Sequence, residues 1–284
     1  MLPFNKDKLL AFSLHLLTGL SVISLLFILF YLIKESLPIL LSTDALRFFT
    51  DENWHPTSEQ FLLMPMIIGS VLIMIGAMLL SIPLGVGAAI LGQFYAPAWF
   101  TRILYRVVEI LAGIPSVIYG FLGIVTIVPL LAVLEAPGTS VLAGVIVLSL
   151  IILPNIVLIS NNALSQIDTM YLNNAMSLGL SRYSIIRYVI LPQAKTGLFT
   201  GIVLQSGRAI GETLAVLMVC GNVVQIPGSI FEPVRTLTSN IALEMAYAMD
   251  NHRSALFLSG LLLMLVVLAI SLIASRFSPE QVNT

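Results

Sequence analysis

Charged residues are scarce in this chain of 284 residues: 13 are basic and 14 are acidic, together 10% of the sequence. Soluble domains carry about 25% charged residues, because polar side chains have to cover the surface of a fold in water. The shortage argues against a soluble enzyme and against a disordered chain. A net charge of −1 leaves no basic patch for nucleic acid, and the single cysteine, Cys220, excludes an intrachain disulfide.

Motifs for catalysis and metal binding are also missing. No Gly-x-x-x-x-Gly-Lys-Ser/Thr segment is present, so the chain has no P-loop with which to bind ATP phosphates itself. His15, His55 and His252 are far apart and lack metal-ligand spacing, and no Gly-x-Ser-x-Gly nucleophile motif occurs. We therefore predict that the chain is not an enzyme and has no cofactor or metal of its own.

Long apolar stretches fill most of the chain instead, and hydrophobic residues account for 58% of it. A helix needs roughly 20 apolar residues to cross a hydrocarbon core about 30 Å thick. The stretches that meet or approach this length are 11–33, 61–91, 107–134, 138–162, 197–220 and 255–275. The first is longer than the apolar region of a cleaved signal peptide. The sequence thus predicts an all-α, polytopic membrane protein with six transmembrane helices.

The distribution of basic residues predicts the orientation of these spans. With the N-terminus inside, the inner segments hold Lys6, Lys8, Arg102, Arg106, Arg182, Arg187, Lys195 and Arg276. The outer segments then hold Lys34, Arg47, Arg235 and Arg253. Because Lys and Arg accumulate on the cytoplasmic side, we predict that both termini face the cytoplasm and that the more acidic face is the outer one.

Proline and glycine interrupt the apolar stretches at residues 83–87, at residues 113–120 and at Pro154. Proline removes a helix hydrogen bond, and such breaks are tolerated where protein or a wet cavity satisfies the freed groups. Two interpretations stay open: a transport path built from broken helices, or the ordinary packing of glycine and proline in membrane helices.

The longest inner connection, residues 163–196, has a helical pattern. Its apolar residues recur at spacings of three and four: Leu164, Ile167, Tyr171, Ala175 and Leu178. Gly179 is placed to end this helix in the left-handed conformation, Ser181 to cap a second short helix, and Pro192 to end the second helix. A hairpin lying on lipid headgroups is the alternative that periodicity leaves open.

The same connection resembles the cytoplasmic loop of ABC importer permeases, whose pattern is Glu-Ala-Ala, three residues, Gly, nine residues, Ile-x-Leu-Pro. Here Asn173-Asn174-Ala175 is followed at that spacing by Gly179 and by Val189-Ile190-Leu191-Pro192. Asn173 and Asn174 replace Glu and Ala, whereas the spacing, the glycine and Leu191-Pro192 are kept. The resemblance implies that the loop docks on a separate ATPase subunit and couples ATP hydrolysis to the spans.

Two charged residues, Arg208 and Glu212, lie inside the fifth apolar stretch. Counted from Gly197, Arg208 is about 16 Å into the helix, near the middle of the hydrocarbon core. Inserting a charge there costs roughly 2.5–3.5 kcal/mol, and the planar fork of arginine matches an oxyanion with two parallel hydrogen bonds. Gly207 and Gly211 leave room for an anion or a helix near the backbone. We interpret the pair as part of a transport path, with a structural ion pair on one helix face as the alternative.

A second resemblance rests on Gly207-Arg208-Ala209-Ile210-Gly211-Glu212-Thr213 and the following 215–222. These residues are similar to phosphate-import permeases, and to the PstC-type subunit more than to its PstA-type partner. Further similar stretches are 113–121, 236–242 and 252–256, so the resemblance covers about residues 65–275. It implies the type I ABC importer permease fold, and it implies that Arg208, Glu212 and Thr213 line the anion path.

The resemblance also implies partners and a location. These are a PstA-type permease, two PstB-type ATPase subunits that hold ATP and Mg²⁺, and a PstS-type phosphate-binding protein, in the plasma (inner) membrane of a prokaryote. We expect an N-terminal span with an extracytoplasmic loop (1–60), a permease domain (61–275) containing the coupling loop (163–196), and a short cytoplasmic tail (276–284). Molybdate, sulfate or phosphonate remain alternative substrates, and an ion-coupled secondary transporter working alone remains an alternative class.

Overall fold

The computed structural model describes residues 6–42 and 47–277, and most of these residues are helical. The helices are α1 (Lys6–Ser42), α2 (Arg47–Thr50), α3 (Met64–Ile90), α4 (Ala98–Gly113), α5 (Ser116–Leu122), α6 (Val128–Ala132), α7 (Val141–Ser165), α8 (Thr169–Ser177), α9 (Arg182–Ile185), α10 (Leu191–Ile210), α11 (Leu214–Val219), α12 (Leu237–Glu244) and α13 (Asp250–Phe277). Two short antiparallel strands, β1 (Trp54–His55) and β2 (Gln60–Phe61), form a hairpin. The all-α prediction is confirmed, and residues 278–284 of the predicted tail lie outside the described residues.

Four helical segments are long and apolar enough to cross a membrane: Leu10–Leu41, Met64–Tyr95, Val141–Ser165 and Asp250–Arg276. Two further helical segments, Ala98–Gly113 and Ser116–Ala132, pass the same test only as a pair that meets at an angle of 93°, which is the geometry of a broken span or of a re-entrant loop. The predicted stretch 107–134 is bent at its Gly-Ile-Pro interruption, because Ile114 is extended ahead of Pro115, as proline favours for the residue before it. One of the six predicted stretches, 197–220, does not form a single helix that is long and apolar enough to cross a membrane.

The centre of the fold is the long contact between α3 and α7. Gly85 of α3 lies against Ile156 of α7, so that a Cβ added at Gly85 would be 2.6 Å from Ile156 Cγ2. The Ser81 hydroxyl donates to the Ser149 carbonyl at 3.0 Å and joins the same two helices. Pro83 and Pro154 lie inside these unbroken helices. Around Pro83 and Pro154, the interpretation as ordinary helix packing therefore applies, whereas the helix is broken at Pro115.

This close approach gives a stability prediction. Gly85→Ala forces a methyl group into Ile156, and we expect it to lower the free energy of unfolding by about 1–3 kcal/mol. Gly87→Ala is the matched control, because a Cβ added there meets nothing within 4 Å. Thermal unfolding in detergent should show a lower midpoint for Gly85→Ala alone, and equal midpoints for the two variants would contradict the packing.

Helix α1 is peripheral. Its first half is exposed along its length, and its second half packs on α13, where the Tyr31 and Phe257 rings are 5.6 Å apart. The Ser and Thr hydroxyls of the exposed half donate to their own helix carbonyls, for example Thr18 to Leu14. Polar groups satisfied in this way suit a helix surrounded by hydrocarbon.

The two ends of the bundle are built differently. At one end, the β1–β2 hairpin packs against the starts of α12 and α13 through Phe61, Leu237 and Leu256. At the other end, the connection between α7 and α10 packs under the end of α3, where Arg182 Nη1 donates to the Phe94 carbonyl at 3.2 Å. We call these the hairpin face and the loop face. The 27 residues of α3 separate them by about 40 Å.

Candidate functional site

Arg208 lies in the last turn of α10, between the two faces. The start of α10 is at the loop face, so Arg208 is about 26 Å from it along the helix. Its side chain is exposed, and it makes no hydrogen bond or ion pair with any residue that the structure describes. A cation at a helix C-terminus is stabilised by the helix dipole. Because no described residue accepts from it, the guanidinium keeps its N–H groups available for an anion.

The helix is broken directly after Arg208. Residues 211–213 are not helical, and α11 starts again at Leu214. Glu212 Oε1 accepts from the backbone N–H groups of Thr213 at 3.2 Å and Ala215 at 3.5 Å, so the carboxylate stabilises the start of α11. The expectation that Arg208 and Glu212 share one face of a continuous helix is therefore wrong, and they form no ion pair.

A remote segment holds this break in place. The Thr238 hydroxyl of α12 donates to the Glu212 carbonyl at 2.9 Å. Thr238 in turn lies 3.1 Å from the Thr236 hydroxyl, and the Leu237 N–H donates to Ser70 of α3. The break is thus fixed by tertiary contacts, and Thr213 lies within it with its hydroxyl 3.2 Å from the Gly211 carbonyl.

The loop face has the predicted glycine corner. Gly179 has φ +73°. Its N–H donates to Met176 and the Leu180 N–H donates to Ala175, which is the Schellman pattern of helix termination. The Ser181 hydroxyl accepts from the Ser184 N–H and caps α9, so this predicted cap is confirmed.

Two local predictions for the loop are wrong. Pro192 does not end the second helix. A π-helical turn at Ile186–Ile190 leads straight into α10, and proline is tolerated in the first turn of a helix. The predicted apolar face is also divided, because Leu164 belongs to α7 and Leu178 is 79% exposed.

The loop residues of the family-like motif occupy distinct positions. Ala175 is buried among Ala89, Ile185 and Ile190, whereas Asn173 and Asn174 are exposed. Leu191 is half-buried and Pro192 is exposed at the start of α10. Several apolar side chains around the corner are exposed: Met170, Met176, Leu178, Leu180, Tyr183 and Tyr188.

A polar cluster at the hairpin face was not predicted. The Glu244 carboxylate, whose side chain is 10% exposed, is in contact with three partners from different segments. Trp54 Nε1 donates to it at 2.8 Å, Arg235 Nη1 donates at 2.6 Å, and His252 Nε2 is 2.8 Å away. We call Trp54, Arg235, Glu244 and His252 the Glu244 cluster. No sequence spacing links these residues, so only the fold brings them together.

The Glu244 cluster forms one wall of a cavity of about 790 Å³ that opens at the hairpin face. Tyr247 also lines this cavity. Desolvation, and then the nearby Glu244 carboxylate, raise the pKa of Tyr247 above its usual value, while Arg235 opposes the change. The phenol is therefore neutral at pH 7 and keeps its proton as a hydrogen-bond donor.

Metal ligands are not gathered anywhere in residues 6–42 and 47–277. No group of three or more His, Cys, Asp or Glu side chains in these ranges is placed to hold a metal ion. Cys220 is buried and free.

Comparison with known sequences identifies relatives over most of the chain. A family model described as "Binding-protein-dependent transport system inner membrane component" matches residues 81–281. The probable ABC transporter permease protein YqgH of Bacillus subtilis (strain 168) is 39% identical, over 82% of this chain and 79% of its own length. The phosphate transport system permease protein PstC of Mesorhizobium japonicum is 32% identical, over 82% of this chain and 78% of its own length.

Solved structures share the fold. A chain of a bacterial ABC transporter that imports the acidic polysaccharide alginate matches with a TM-score of 0.60 and 15% identity, over 94% of this chain and 96% of that one. A chain of the inward-facing MetNI methionine ABC transporter matches with a TM-score of 0.57 and 21% identity, over 75% of this chain and 91% of that one. The solved structures share the fold, and the family model and the two relatives above 30% identity cover most of the chain, so the chain belongs to the binding-protein-dependent transport system inner membrane components, the permease subunits of ABC importers.

Proposed function

We propose that this permease subunit forms half of the translocation path of an ATP-driven phosphate importer. The observation that carries the proposal is the exposed Arg208 at the break between α10 and α11, which pairs with none of the residues in 6–42 and 47–277. A cation held at membrane depth without a counter-ion needs a functional reason, because its insertion costs several kcal/mol. The relatives named phosphate transport system permease protein PstC support phosphate as the anion.

The proposed path uses Arg208, Glu212 and Thr213. Arg208 offsets the desolvation of the anion through charge-assisted hydrogen bonds. Glu212, tied to the start of α11, sets the position of the break and lowers the net positive charge, so that the anion is released as well as bound. Thr213 adds a hydroxyl beside the break.

The loop face is proposed to couple the spans to an ATPase. Asn173, Asn174 and Gly179 form its outer surface, and Ala175, Leu191 and Pro192 connect it to the start of α10. The exposed apolar side chains around Gly179 suit a protein partner, since a solvated corner would carry polar residues. A movement of the loop would be transmitted along α10 to Arg208, because the π-helical turn joins the loop to α10 without a break.

The proposed complex and topology follow from these roles. The loop face and both termini lie in the cytoplasm, and the hairpin face lies outside. Residues 1–60 form an accessory span and loop, 61–275 the permease domain and 276–284 the tail. A PstA-type permease completes the path, two PstB-type subunits bind and hydrolyse ATP with Mg²⁺, and a PstS-type protein delivers phosphate to the hairpin face of the complex in the plasma membrane.

The experiment is [³²P]phosphate uptake by cells that lack the chain, with and without its restoration. We expect high-affinity uptake only after restoration, and competition by unlabelled phosphate that exceeds competition by molybdate, sulfate or phosphonate. Preferential competition by another oxyanion would reassign the substrate. Anion transport by the chain alone in liposomes, without ATP or partners, would contradict the ATP-driven mechanism.

A further inference from the structure

We propose that the cavity beside the Glu244 cluster is a second oxyanion site, which receives a protonated oxyanion such as hydrogen phosphate before it reaches Arg208. The inference rests on the proposed function and adds a binding site to it. Polar side chains of five segments meet at this cavity: Asn53, Thr57, Asn222, Arg235, Tyr247 and His252.

Arg235 supplies donors that the fold does not use. Its Nε donates to the Asn222 carbonyl at 2.9 Å, and its Nη1 donates to Asn240 at 3.0 Å and to Glu244. Its Nη2 has no partner among the residues that the structure describes, and the side chain is 18% exposed in the cavity wall. The guanidinium is thus held rigidly while two N–H groups remain for a ligand.

Asn222 supplies an acceptor that the fold does not use. Its Nδ2 donates to the Leu217 carbonyl at 2.8 Å, which fixes the orientation of the amide. Its Oδ1 is buried and has no hydrogen-bond partner among the described residues. An unpaired buried oxygen costs free energy unless a ligand donates to it.

These spare groups define the chemistry of the ligand. The Arg235 Nη2 group and the Tyr247 hydroxyl donate to oxyanion oxygens, whereas Asn222 Oδ1 accepts from an O–H group. Phosphate at neutral pH carries both kinds of atom, whereas sulfate has no O–H. We therefore expect the site to prefer phosphate and arsenate to sulfate.

The charge of the Glu244 cluster suits a site of transit. Glu244 already neutralises Arg235, so the cavity binds an anion through hydrogen bonds with little net charge attraction and does not hold it tightly. A transport path needs sites that fill readily and also empty. Asn222 comes three residues after the end of α11, and the break lies at the start of that helix, so the six residues of α11, about 9 Å, separate the cavity from the break that presents Arg208.

The test is equilibrium binding of [³²P]phosphate to the purified permease–ATPase complex without the extracytoplasmic binding protein. In an Arg208→Gln background we expect saturable binding to persist at one site, with displacement by arsenate at least tenfold more effective than displacement by sulfate. Thr57→Asp adds a carboxylate to the rim of the cavity and should weaken this residual binding about tenfold. Ser58→Asp places the same charge on the next exposed residue, which does not line the cavity, and should weaken it less than twofold.

Asn53→Asp, an isosteric change on the same rim, serves as the second variant if Thr57→Asp impairs assembly. Loss of all saturable binding in Arg208→Gln would overturn the second site, as would equal effects of the rim variants and Ser58→Asp. Either result would contradict the second site alone, and the proposed function would still hold if wild-type cells take up phosphate. Cells lacking the chain that gain no phosphate uptake when it is restored would instead contradict the proposed function.

Discussion

Arg208→Gln is expected to abolish phosphate uptake while the complex still assembles. The substitution removes the charge and the bidentate fork and leaves a shorter, neutral, polar side chain. Two charge-assisted hydrogen bonds are worth about 3–6 kcal/mol together. Since 1.4 kcal/mol corresponds to a factor of ten, uptake should fall by about 100-fold or more. Initial rates of [³²P]phosphate uptake, with complex assembly checked by size-exclusion chromatography, measure this effect.

Two further variants sharpen the interpretation. Arg208→Lys keeps a point charge without the planar fork and should give intermediate uptake. Arg106→Gln removes another exposed arginine that has no ion-pair partner among the described residues, on α4, and should leave uptake close to wild type. Normal uptake by Arg208→Gln, or an equal loss of uptake in Arg106→Gln, would contradict the proposed role of Arg208.

Gly179→Val is expected to uncouple the ATPase from transport. Gly179 has φ +73°, a conformation that costs non-glycine residues about 1–2 kcal/mol and costs β-branched residues more. A Cβ at this position meets nothing within 4 Å, so the effect arises from the backbone and not from a clash. A shift of the corner between α8 and α9 misplaces the exposed loop surface. Coupled uptake should therefore fall about tenfold or more.

The measurement compares ATP hydrolysis and phosphate uptake by the same reconstituted complex. In Gly179→Val, either the ATPase subunits dissociate on purification or hydrolysis continues without matching uptake. Gly179→Asn should retain more coupled uptake than Gly179→Val, because asparagine adopts the left-handed conformation more readily. A Gly179→Val complex with bound ATPase and coupled uptake equal to that of Gly179→Asn would show that the loop assignment is wrong.

Local sequence predicted the elements that depend on nearby residues. The glycine corner follows from the ability of Gly179 to take positive φ, and the start of α9 follows from the Ser181 hydroxyl. The long helices α3, α7 and α13 follow from apolar length alone. These features need no partner from elsewhere in the chain, so the order of residues is sufficient to predict them.

Proline positions were ambiguous for a physical reason. Pro115 coincides with a bend of 93°, whereas Pro83 and Pro154 lie in continuous helices. All three lack the same N–H group, so the residue type does not separate them. Gly85 of α3 packs closely on Ile156 of α7, whereas a Cβ added at Gly113, directly before the bend, would meet nothing within 4 Å.

The sequence by itself determined that this chain is a membrane protein, because so few charged residues cannot cover the surface of a fold in water. It also singled out Arg208, Glu212 and the Gly179 corner. Only the tertiary structure decided that Arg208 and Glu212 do not pair with each other, since a hydroxyl from Thr238 holds the break between them. The Glu244 cluster likewise depends on segments 190 residues apart for its Trp54 contact. Hydrogen bonds between such distant residues leave no periodic signal in the sequence, so they become visible only in the folded chain.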